Sequence, residues 1–350
     1  MSCSSPLYRI PWDTCSAFLP DSFERRVHNG GIIIGRDERD QLCAKRPIFD
    51  TLFQKVPCGK CIMCRLDYSR DWANRCMLEA REHKYNQFVT LTYDMDHLPP
   101  FKPFIDMETG VVELRSMLVK EHLSKFMKDL RRYFSYHFDH DDIRFFGCGE
   151  YGEKSFRPHF HLQLFNCDFP DKKLWAENPG GRLYTSKILS DIWQNGIAVT
   201  ADVSWNTAAY TARYVMKKQK GPSKRDFVNA MESYFPGQPW QEEFVLMSRR
   251  PGIARNYYEE HKNDIYATDE IFVPKSGNIL PVRPCRYYDK LYDVEYPEEM
   301  TRIKTQRQIQ GINAQRSALA STDLSELELL ASQERAKIAQ ADRLVRPIDF

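Results

Sequence analysis

A nine-residue stretch near the middle of the chain, Arg157–Phe165, constrains its fold most strongly. Polar and apolar side chains alternate along it, which predicts a β-strand with two chemically different faces. One face carries His159, His161 and Gln163. The other face is apolar, and its side chains are Phe160, Leu162 and Leu164. Because a strand repeats every two residues, the imidazoles point the same way, about 7 Å apart along the chain. One face can therefore pack on helices while the other holds a metal ion.

The segment before this strand offers a carboxylate to the same site. Residues 143–150 predict a second strand, and the Gly- and Lys-containing segment 151–156 predicts a hairpin loop. Antiparallel pairing would bring Glu150 near the histidines, and Glu153 in the loop is a second nearby carboxylate. Two imidazoles and one carboxylate leave open positions on a divalent ion for water and substrate oxygens. The alternative is that these histidines are polar residues on a solvated face.

The order of elements from Phe88 onward indicates the fold class. It reads strand, helix, strand, strand, helix, strand, helix, with hairpin pairing at 143–166. Helices on one face of an antiparallel sheet predict an α+β sandwich. The domain prediction is an N-terminal extension with a cysteine knuckle, a core, a basic loop-rich region and a helical C-terminal arm, over 1–65, 66–220, 221–295 and 296–350.

The last helix of this core carries two tyrosines at helical spacing. We expect it to run from Ala208 to Lys218, capped by Asn206 or Thr207. Its reactive side chains are Tyr210, Tyr214, Arg213 and Lys217. The tyrosines are i, i+4 neighbours, and each has a cation three residues on. They could be an aromatic stripe packed on the sheet, with the cations reaching outward. Alternatively, the cations favour phenolate and so a nucleophile.

Combined, the metal face and the tyrosine helix suit phosphoryl transfer. A metal ion polarises a phosphodiester, and a tyrosine oxygen attacks the phosphorus to leave a 5′-phosphotyrosine. The 3′-hydroxyl can later reverse the reaction. A second tyrosine allows a second strand transfer before the first DNA end is released.

A cysteine knuckle precedes the core. Cys58, Cys61 and Cys64 form two overlapping Cys-x-x-Cys units, whose spacing suits one tetrahedral Zn²⁺. The candidates for a fourth ligand are Cys3, Cys43 and Cys76. An ordinary loop and an iron–sulfur cluster are the alternatives. The 10 cysteines lie in a chain without a secretion pattern, which favours reduced thiols or a metal site over disulfides.

Charge and hydropathy narrow the cellular setting. No apolar run has membrane-spanning length and no signal-peptide pattern is present, which predicts a cytosolic protein without membrane contact. The net charge of +2 neither requires nor excludes nucleic acid, since local clusters matter more. One basic cluster consists of Lys217, Lys218, Lys220, Lys224 and Arg225. A second is the loop that contains Arg249 and Arg250.

Three blocks resemble the HUH endonucleases of rolling-circle replication. They are the strand block 88–93, the metal-binding block 158–161 and the two-tyrosine block 210–217. Four further blocks resemble the replication initiators of gokushovirus-type Microviridae phages. These are residues 1–3, 57–65, 148–153 and 248–253, so the resemblance extends to about residue 288 and leaves the C-terminal arm without a motif.

The resemblance implies specific roles for these residues. It makes Glu150 the third ligand of Mg²⁺ or Mn²⁺, with Glu153 as second choice, and it makes Cys3 the preferred fourth cysteine. Arg213 stands where related two-tyrosine proteins often carry Lys. Because Arg cannot act as an acid at neutral pH, we expect Tyr214, paired with Lys217, to attack first.

The implied activity is a site-specific nickase that starts phage rolling-circle replication in the host bacterial cytoplasm. Its expected fold is a ferredoxin-like sandwich, with single-stranded origin DNA held by bases such as Lys217, Lys218 and Lys220. A host helicase and a host polymerase are the further partners. The alternatives are a non-catalytic, zinc-containing DNA-binding regulator and a small-molecule metal hydrolase or oxygenase.

Overall fold

The computed structural model describes residues 3, 6–11, 27–28, 31–45, 53–59, 61–105, 109–152, 155–178, 181–217, 233, 241–275 and 277–342. They divide into two units, which are described separately. The first consists of Met1–Asp67 and Thr305–Leu344, and the second includes Tyr68–Lys304.

The described residues form a mixture of strands and helices. The strands are β1 (Leu7–Pro11), β2 (Val27–His28), β3 (Gly31–Ile34), β4 (Gln54–Val56), β5 (Asn86–Thr92), β6 (Phe101–Ile105), β7 (Val112–Ser116), β8 (Arg144–Tyr151), β9 (Pro158–Phe165), β10 (Lys173–Asn178), β11 (Gly181–Thr185), β12 (Ala198–Asp202), β13 (Phe244–Met247), β14 (Ile271–Lys275) and β15 (Asn278–Val282). The helices are α1 (Arg36–Lys45), α2 (Ile62–Arg81), α3 (Lys120–Phe138), α4 (Lys187–Trp193), α5 (Trp205–Lys217), α6 (Arg255–Thr268), α7 (Arg286–Glu295), α8 (Pro297–Ala320) and α9 (Glu326–Asp342). Within these ranges, none of the helices has the length and apolar character needed to cross a bilayer.

The first unit contains a small antiparallel sheet with the order β2–β3–β1–β4. Its apolar centre is formed by the buried side chains Tyr8, Ile32 and Ile34, against which Leu42 and Phe53 pack. The helices α8 and α9 confirm the helical character expected for the C-terminal arm.

The second unit is built on a seven-stranded sheet with the order β10–β11–β12–β5–β9–β8–β13. Neighbouring strands are antiparallel throughout this sheet. The α+β class and the hairpin between β8 and β9 are therefore confirmed, and β9 has the alternating faces expected of it.

Helices cover both faces of this sheet, whereas the sequence predicted helices on one face. The apolar face of β9, with Phe160 and Leu162, packs under α3 and α4 through residues such as Leu130 and Trp193. The opposite face packs against α2 and α5, where Trp72 stacks on Phe146 at 4.8 Å between ring centroids. The expectation failed because side chains on this second face are partly polar, so its burial does not show as an apolar pattern.

The helix α5 begins earlier than the sequence indicated. It starts at Trp205, and its cap is Ser204, whose Oγ accepts a hydrogen bond from Thr207 N at 3.1 Å. Asn206 and Thr207 therefore lie inside the first turn. Serine suits this position because its hydroxyl accepts from the third helical N–H, which otherwise has no partner.

Glu79 of α2 fixes three parts of the second unit to one another. Its carboxylate accepts hydrogen bonds from Arg144 of β8 and from Ala254 N, at the start of α6. Ala254 gives α6 no side-chain cap, so the Glu79 carboxylate serves as one. Burial raises the pKa of Glu79, but hydrogen bonds from His83, Ala254 N and Arg144 outweigh it, and the pKa lies below its ordinary value.

The Glu79→Gln substitution should lower the free energy of unfolding by about 3 kcal/mol at pH 7, because it removes the charge that compensates Arg144. Since the folded-state pKa is lowered, the stabilisation is complete above the unfolded pKa of about 4.3 and is lost as pH falls through the folded value. Urea unfolding of wild type and variant from pH 7 down to pH 3 measures both effects. Glu260→Gln, an exposed position on α6, is the matched control and should change stability by less than about 0.5 kcal/mol. An equal loss at every pH would contradict the role of the carboxylate charge.

Candidate active site

The register of the β8–β9 hairpin brings the predicted metal ligands together. Glu150 pairs directly with His159, and Cys148 pairs with His161. Residues opposite one another in an antiparallel pair point to the same face, as do residues two apart along one strand. Glu150, His159 and His161 (the Glu–His–His trio) therefore share the face that is covered by α5.

The three side chains converge on one point. Oε1 of Glu150 lies 2.8 Å from Nε2 of His159 and 2.8 Å from Nε2 of His161. Glu150 and His161 have 1% of their side-chain area exposed, whereas His159 has 16%. The trio is thus closed on the side of Glu150 and His161 and reaches solvent at His159.

The charges of the trio are mutually stabilised. Burial raises the pKa of Glu150, but the nearby imidazole of His161 and hydrogen bonds from both histidines hold it below its ordinary value. Burial lowers the pKa of His159, but the hydrogen bond to Glu150 outweighs it and raises the pKa. A buried carboxylate thus stays ionised beside imidazoles, as required of a site that binds a cation.

Each histidine is oriented by a second hydrogen bond. Nδ1–H of His159 donates to the carbonyl oxygen of Arg157 at 3.0 Å, and Nδ1 of His161 lies 2.9 Å from Oγ1 of Thr90 on β5. Such contacts at the far nitrogen leave Nε2 to face a metal ion. The sequence analysis missed Thr90. The available signal was its place in the alternating strand 88–94, on the face that β5 shares with His161.

The donor set fits a divalent ion. The ligand atoms of the trio lie within 4.8 Å of one another. Oε2 of Glu150 is buried and has no hydrogen-bond partner among the described residues. A buried carboxylate oxygen without a donor has a large desolvation penalty, which a cation would offset. Two imidazoles with one carboxylate form a set that binds divalent metals and leaves positions open.

Tyr210 joins the trio from α5. Its hydroxyl donates to Oε1 of Glu150 at 3.4 Å and lies 3.5 Å from Nε2 of His161. Its ring meets the His161 ring edge to face at 5.0 Å and packs with Phe88 and Cys148 in an apolar cluster. Both sequence interpretations of this tyrosine therefore hold, because its ring is part of the core while its hydroxyl lies at the trio.

Neighbours of Tyr210 on α5 fix the helix against the sheet. Gln163 of β9 donates through Nε2 to Oγ1 of Thr211 at 3.0 Å. On the other side, Oγ of Ser69 donates to the carbonyl oxygen of Ala209 at 3.1 Å. These bonds flank Tyr210 in sequence and set the height of its hydroxyl above β9.

Several predicted residues are not brought to this point. Tyr214, Arg213 and Lys217 belong to α5 by their backbone, but their side chains lie outside the described part of the structure. Lys218, Lys220, Lys224, Arg225 and Glu153 also lie outside it.

The basic loop at the end of β13 is distant from the trio. Met247 pairs with Phe146, and Arg249 and Arg250 follow it as exposed residues. Phe146 and Glu150 are about 13 Å apart along β8. The two arginines thus lie beyond the opposite end of β8 from Glu150.

The cysteine knuckle forms a second cluster, in the first unit. Cys3, Cys58, Cys61 and Cys64 place their sulfurs within 4.8 Å of one another. The other two candidates are elsewhere: Cys43 is on α1, and Cys76 is buried in the core of the second unit.

Comparison with known proteins places this arrangement in a family. A family model described as replication-associated protein ORF2 matches residues 86–219. The match includes Thr90, the Glu–His–His trio and Tyr210. The chain is 31% identical over 304 residues to the replication-associated protein ORF2 of Spiroplasma virus 4, which covers 84% of this chain and 85% of that protein. The chain belongs to the replication-associated proteins.

Two further relatives come from other bacterial viruses. The replication-associated protein VP4 of Bdellovibrio phage phiMH2K is 30% identical over 245 residues, or 69% of each chain. The replication-associated protein ORF4 of Chlamydia phage 1 is 33% identical over 250 residues, or 65% of this chain and 58% of that protein. No solved structure matches. The resemblance to phage replication proteins is therefore confirmed, and it assigns this replication-associated protein a role in phage replication.

Removing the hydroxyl that orients His161 should weaken metal binding by this replication-associated protein. We expect Thr90→Val, which keeps the side-chain shape, to lower Mn²⁺ affinity about 10- to 100-fold, the range typical of partners behind metal ligands. Glu150→Gln should lower it further, since it removes the anionic ligand. Mn²⁺ titration followed by calorimetry or electron paramagnetic resonance measures both variants. Glu121→Gln, an exposed position on α3, is the control. Unchanged Mn²⁺ affinity in Glu150→Gln would exclude the trio as the metal site.

Proposed function

We propose that the chain is a metal-dependent nickase and strand transferase that initiates rolling-circle replication of a phage genome, with tyrosine as nucleophile. The observation that carries this proposal is the hydroxyl of Tyr210 within 3.4 Å of Glu150 and 3.5 Å of His161. An attacking group and a cation-binding group adjoin on one face of the sheet. Membership of the replication-associated proteins supports DNA as the substrate.

We assign the second unit to the HUH type of ferredoxin-like sandwich. The support is the central antiparallel sheet, with histidines on an inner strand and the tyrosine helix on the same face. In this assignment the scissile phosphodiester approaches from the side of His159, because that is the exposed side of the trio.

Glu150, His159 and His161 would hold the divalent ion, which we propose to be Mg²⁺ or Mn²⁺. When bound, the ion would polarise the phosphodiester and stabilise the charge that develops on its oxygens. Thr90 and the carbonyl of Arg157 keep the two Nε2 atoms directed at it.

The covalent step exchanges one phosphodiester for another. The oxygen of Tyr210 bonds to phosphorus, and the bond from phosphorus to the 3′ oxygen of the preceding nucleotide breaks. The phenol loses its proton, and the leaving 3′ oxygen takes one up to become a hydroxyl. A 5′-phosphotyrosine then holds the end of the nicked strand, and the free 3′-hydroxyl primes synthesis or reverses the reaction.

Tyr214 would serve as the second nucleophile, which allows the next transfer before the first end is released. The contacts of Tyr210 support it as the first nucleophile, since its hydroxyl lies at the trio. The order expected from the sequence, Tyr214 with Lys217 before Tyr210 with Arg213, stays a prediction. In both orders the basic residues after the tyrosines face the phosphates.

We assign DNA contacts to the basic residues Lys218, Lys220, Arg249 and Arg250. A basic surface that follows the phosphate backbone is the general requirement for single-strand binding. The arginines at the far end of β8 would then contact nucleotides away from the nick. A host helicase and polymerase in the bacterial cytoplasm would act on the exposed 3′ end.

A covalent adduct on a denaturing gel tests this proposal. The protein is incubated with Mn²⁺ and labelled single-stranded DNA that covers the phage origin. We expect a labelled band at the size of protein plus DNA, lost with chelator. Its absence for every origin sequence would reject the nickase and favour a non-catalytic, zinc-containing regulator, for which the cysteine cluster is the supporting observation.

Tyrosine variants determine the order of attack. Tyr210→Phe should reduce adduct formation in the first turnover at least about 100-fold, because the nucleophilic oxygen is removed. Tyr214→Phe should leave the first adduct intact and block transfer to a second DNA end. Tyr136→Phe, on the exposed surface of α3, is the matched control. Loss of the first adduct in Tyr214→Phe alone would establish the order that the sequence predicted.

A further inference from the structure

The proposed reaction leaves the cysteine cluster of the first unit without a role. Cys3, Cys58, Cys61 and Cys64 lie outside residues 86–219, where the family model matches. All four are free cysteines, and two of them, Cys3 and Cys64, are buried. Four thiols at one point of a small unit need an explanation of their own.

The spacing of the sulfurs fits a tetrahedral ion. A Zn–S bond of about 2.3 Å implies sulfurs about 3.8 Å apart at the corners of a tetrahedron. Cys3 Sγ lies 3.7 Å from Cys61 Sγ, and the four sulfurs are within 4.8 Å of one another. A disulfide joins sulfurs at about 2.0 Å, so the cluster is arranged around a centre and not as two bonded pairs.

The backbone around the cluster favours thiolates. Cys58 N donates to Sγ of Cys3, and Cys61 N donates to Sγ of Cys58, both at 3.3 Å. Gly59 adopts φ +72°, which turns the chain between Cys58 and Cys61 in a conformation that other residues rarely take. Such N–H bonds to sulfur stabilise negative charge on metal-binding cysteines.

We propose that Cys3, Cys58, Cys61 and Cys64 bind one structural Zn²⁺ that attaches the C-terminal helices α8 and α9 to the N-terminal sheet. Four soft thiolates select zinc, whereas the Glu–His–His trio with its carboxylate oxygen suits the harder Mg²⁺ and Mn²⁺. The chain therefore has two metal sites of different chemistry, one structural and one for the reaction.

The attachment follows from what the cluster holds in place. Cys3 precedes β1, and Cys58 lies two residues after β4. Cys3 and Lys55 of β4 line a cavity of about 250 Å³, whose opposite wall is formed by residues of α8 and α9. Lys55 Nζ also pairs with Glu326 Oε1 of α9 at 2.6 Å.

The helices themselves have little apolar burial to fix them in the first unit. Among the described residues of α8 and α9, only Met300 is buried, and Met300 belongs to the second unit. Their attachment therefore depends on the wall that contains Cys3 and Lys55. Loss of the ion would release Cys3 from the knuckle and remove part of that wall.

Metal counting on the full chain tests the site. Protein purified in reductant without chelator should contain one zinc per chain, and Cys61→Ser should contain less than a tenth of that. Cys43→Ser, in the same unit but outside the cluster, should keep the full amount. Because imidazoles and a carboxylate can also bind zinc, the count is repeated in His161→Ala, where one zinc should remain.

Hydrogen exchange tests the structural role. When zinc is withdrawn from the wild-type chain, amides of α8 and α9 within 305–342 should exchange at least tenfold faster, while those of β8 and β9 should not change. Zinc loss without faster exchange in these helices would overturn the attachment.

Cobalt exchange covers the case in which Cys61→Ser does not fold. Wild-type protein loaded with Co²⁺ should show the visible absorption of tetrahedral cobalt thiolate. Iron with sulfide, disulfides, or four reduced thiols without metal would each overturn the zinc site. None of these readouts depends on nicking, so failure of the nickase proposal would leave the zinc result unaffected.

Discussion

The pairing register of β8 with β9 is the constraint on which the site depends. With Glu150 opposite His159, the carboxylate and both imidazoles point to one face. A shift by one residue would move Glu150 to the apolar face, where it would lie unpaired among core side chains. The register is held on that face by the burial of Phe160, Leu162 and Leu164. On the site face it is held by Thr90 of β5, which contacts His161. The packing that stabilises the sheet therefore also sets the geometry of the trio.

The parts of the fold that the sequence predicted well are those with local causes. The alternation in β9 is a property of strand geometry, so the faces of His159 and His161 followed from it directly. Glu150 could be added because a short hairpin loop leaves little freedom in how two strands pair. Ser186 was similarly predictable as the cap of α4, since capping depends on a few adjacent residues, and its Oγ accepts from Leu189 N.

The parts that escaped the sequence depend on contacts between distant segments. Thr90 is 71 residues from His161, and no feature of its own strand distinguishes it from a packing threonine. Cys3 was one of several possible partners for the knuckle until the N-terminal segment was placed. The position of Arg249 and Arg250 could not be known without β13, which pairs with β8 and directs the loop away from Glu150. Helices on both faces were missed because α2 precedes the sheet and covers a face with mixed polarity.

The charges around Tyr210 connect its reactivity to the state of the trio. Its hydroxyl donates to Glu150, so ionising the phenol would set two negative charges 3.4 Å apart in a buried position. Such repulsion raises the pKa of a phenol, and burial raises it further. In the metal-free protein the chain's own residues thus hold Tyr210 neutral and unreactive. Because bound cations are the largest charges in a site and reverse its local electrostatics, occupation of the trio would favour the phenolate. The same three residues would then determine both where the phosphate is held and when the tyrosine can attack, which restricts nicking to the loaded site.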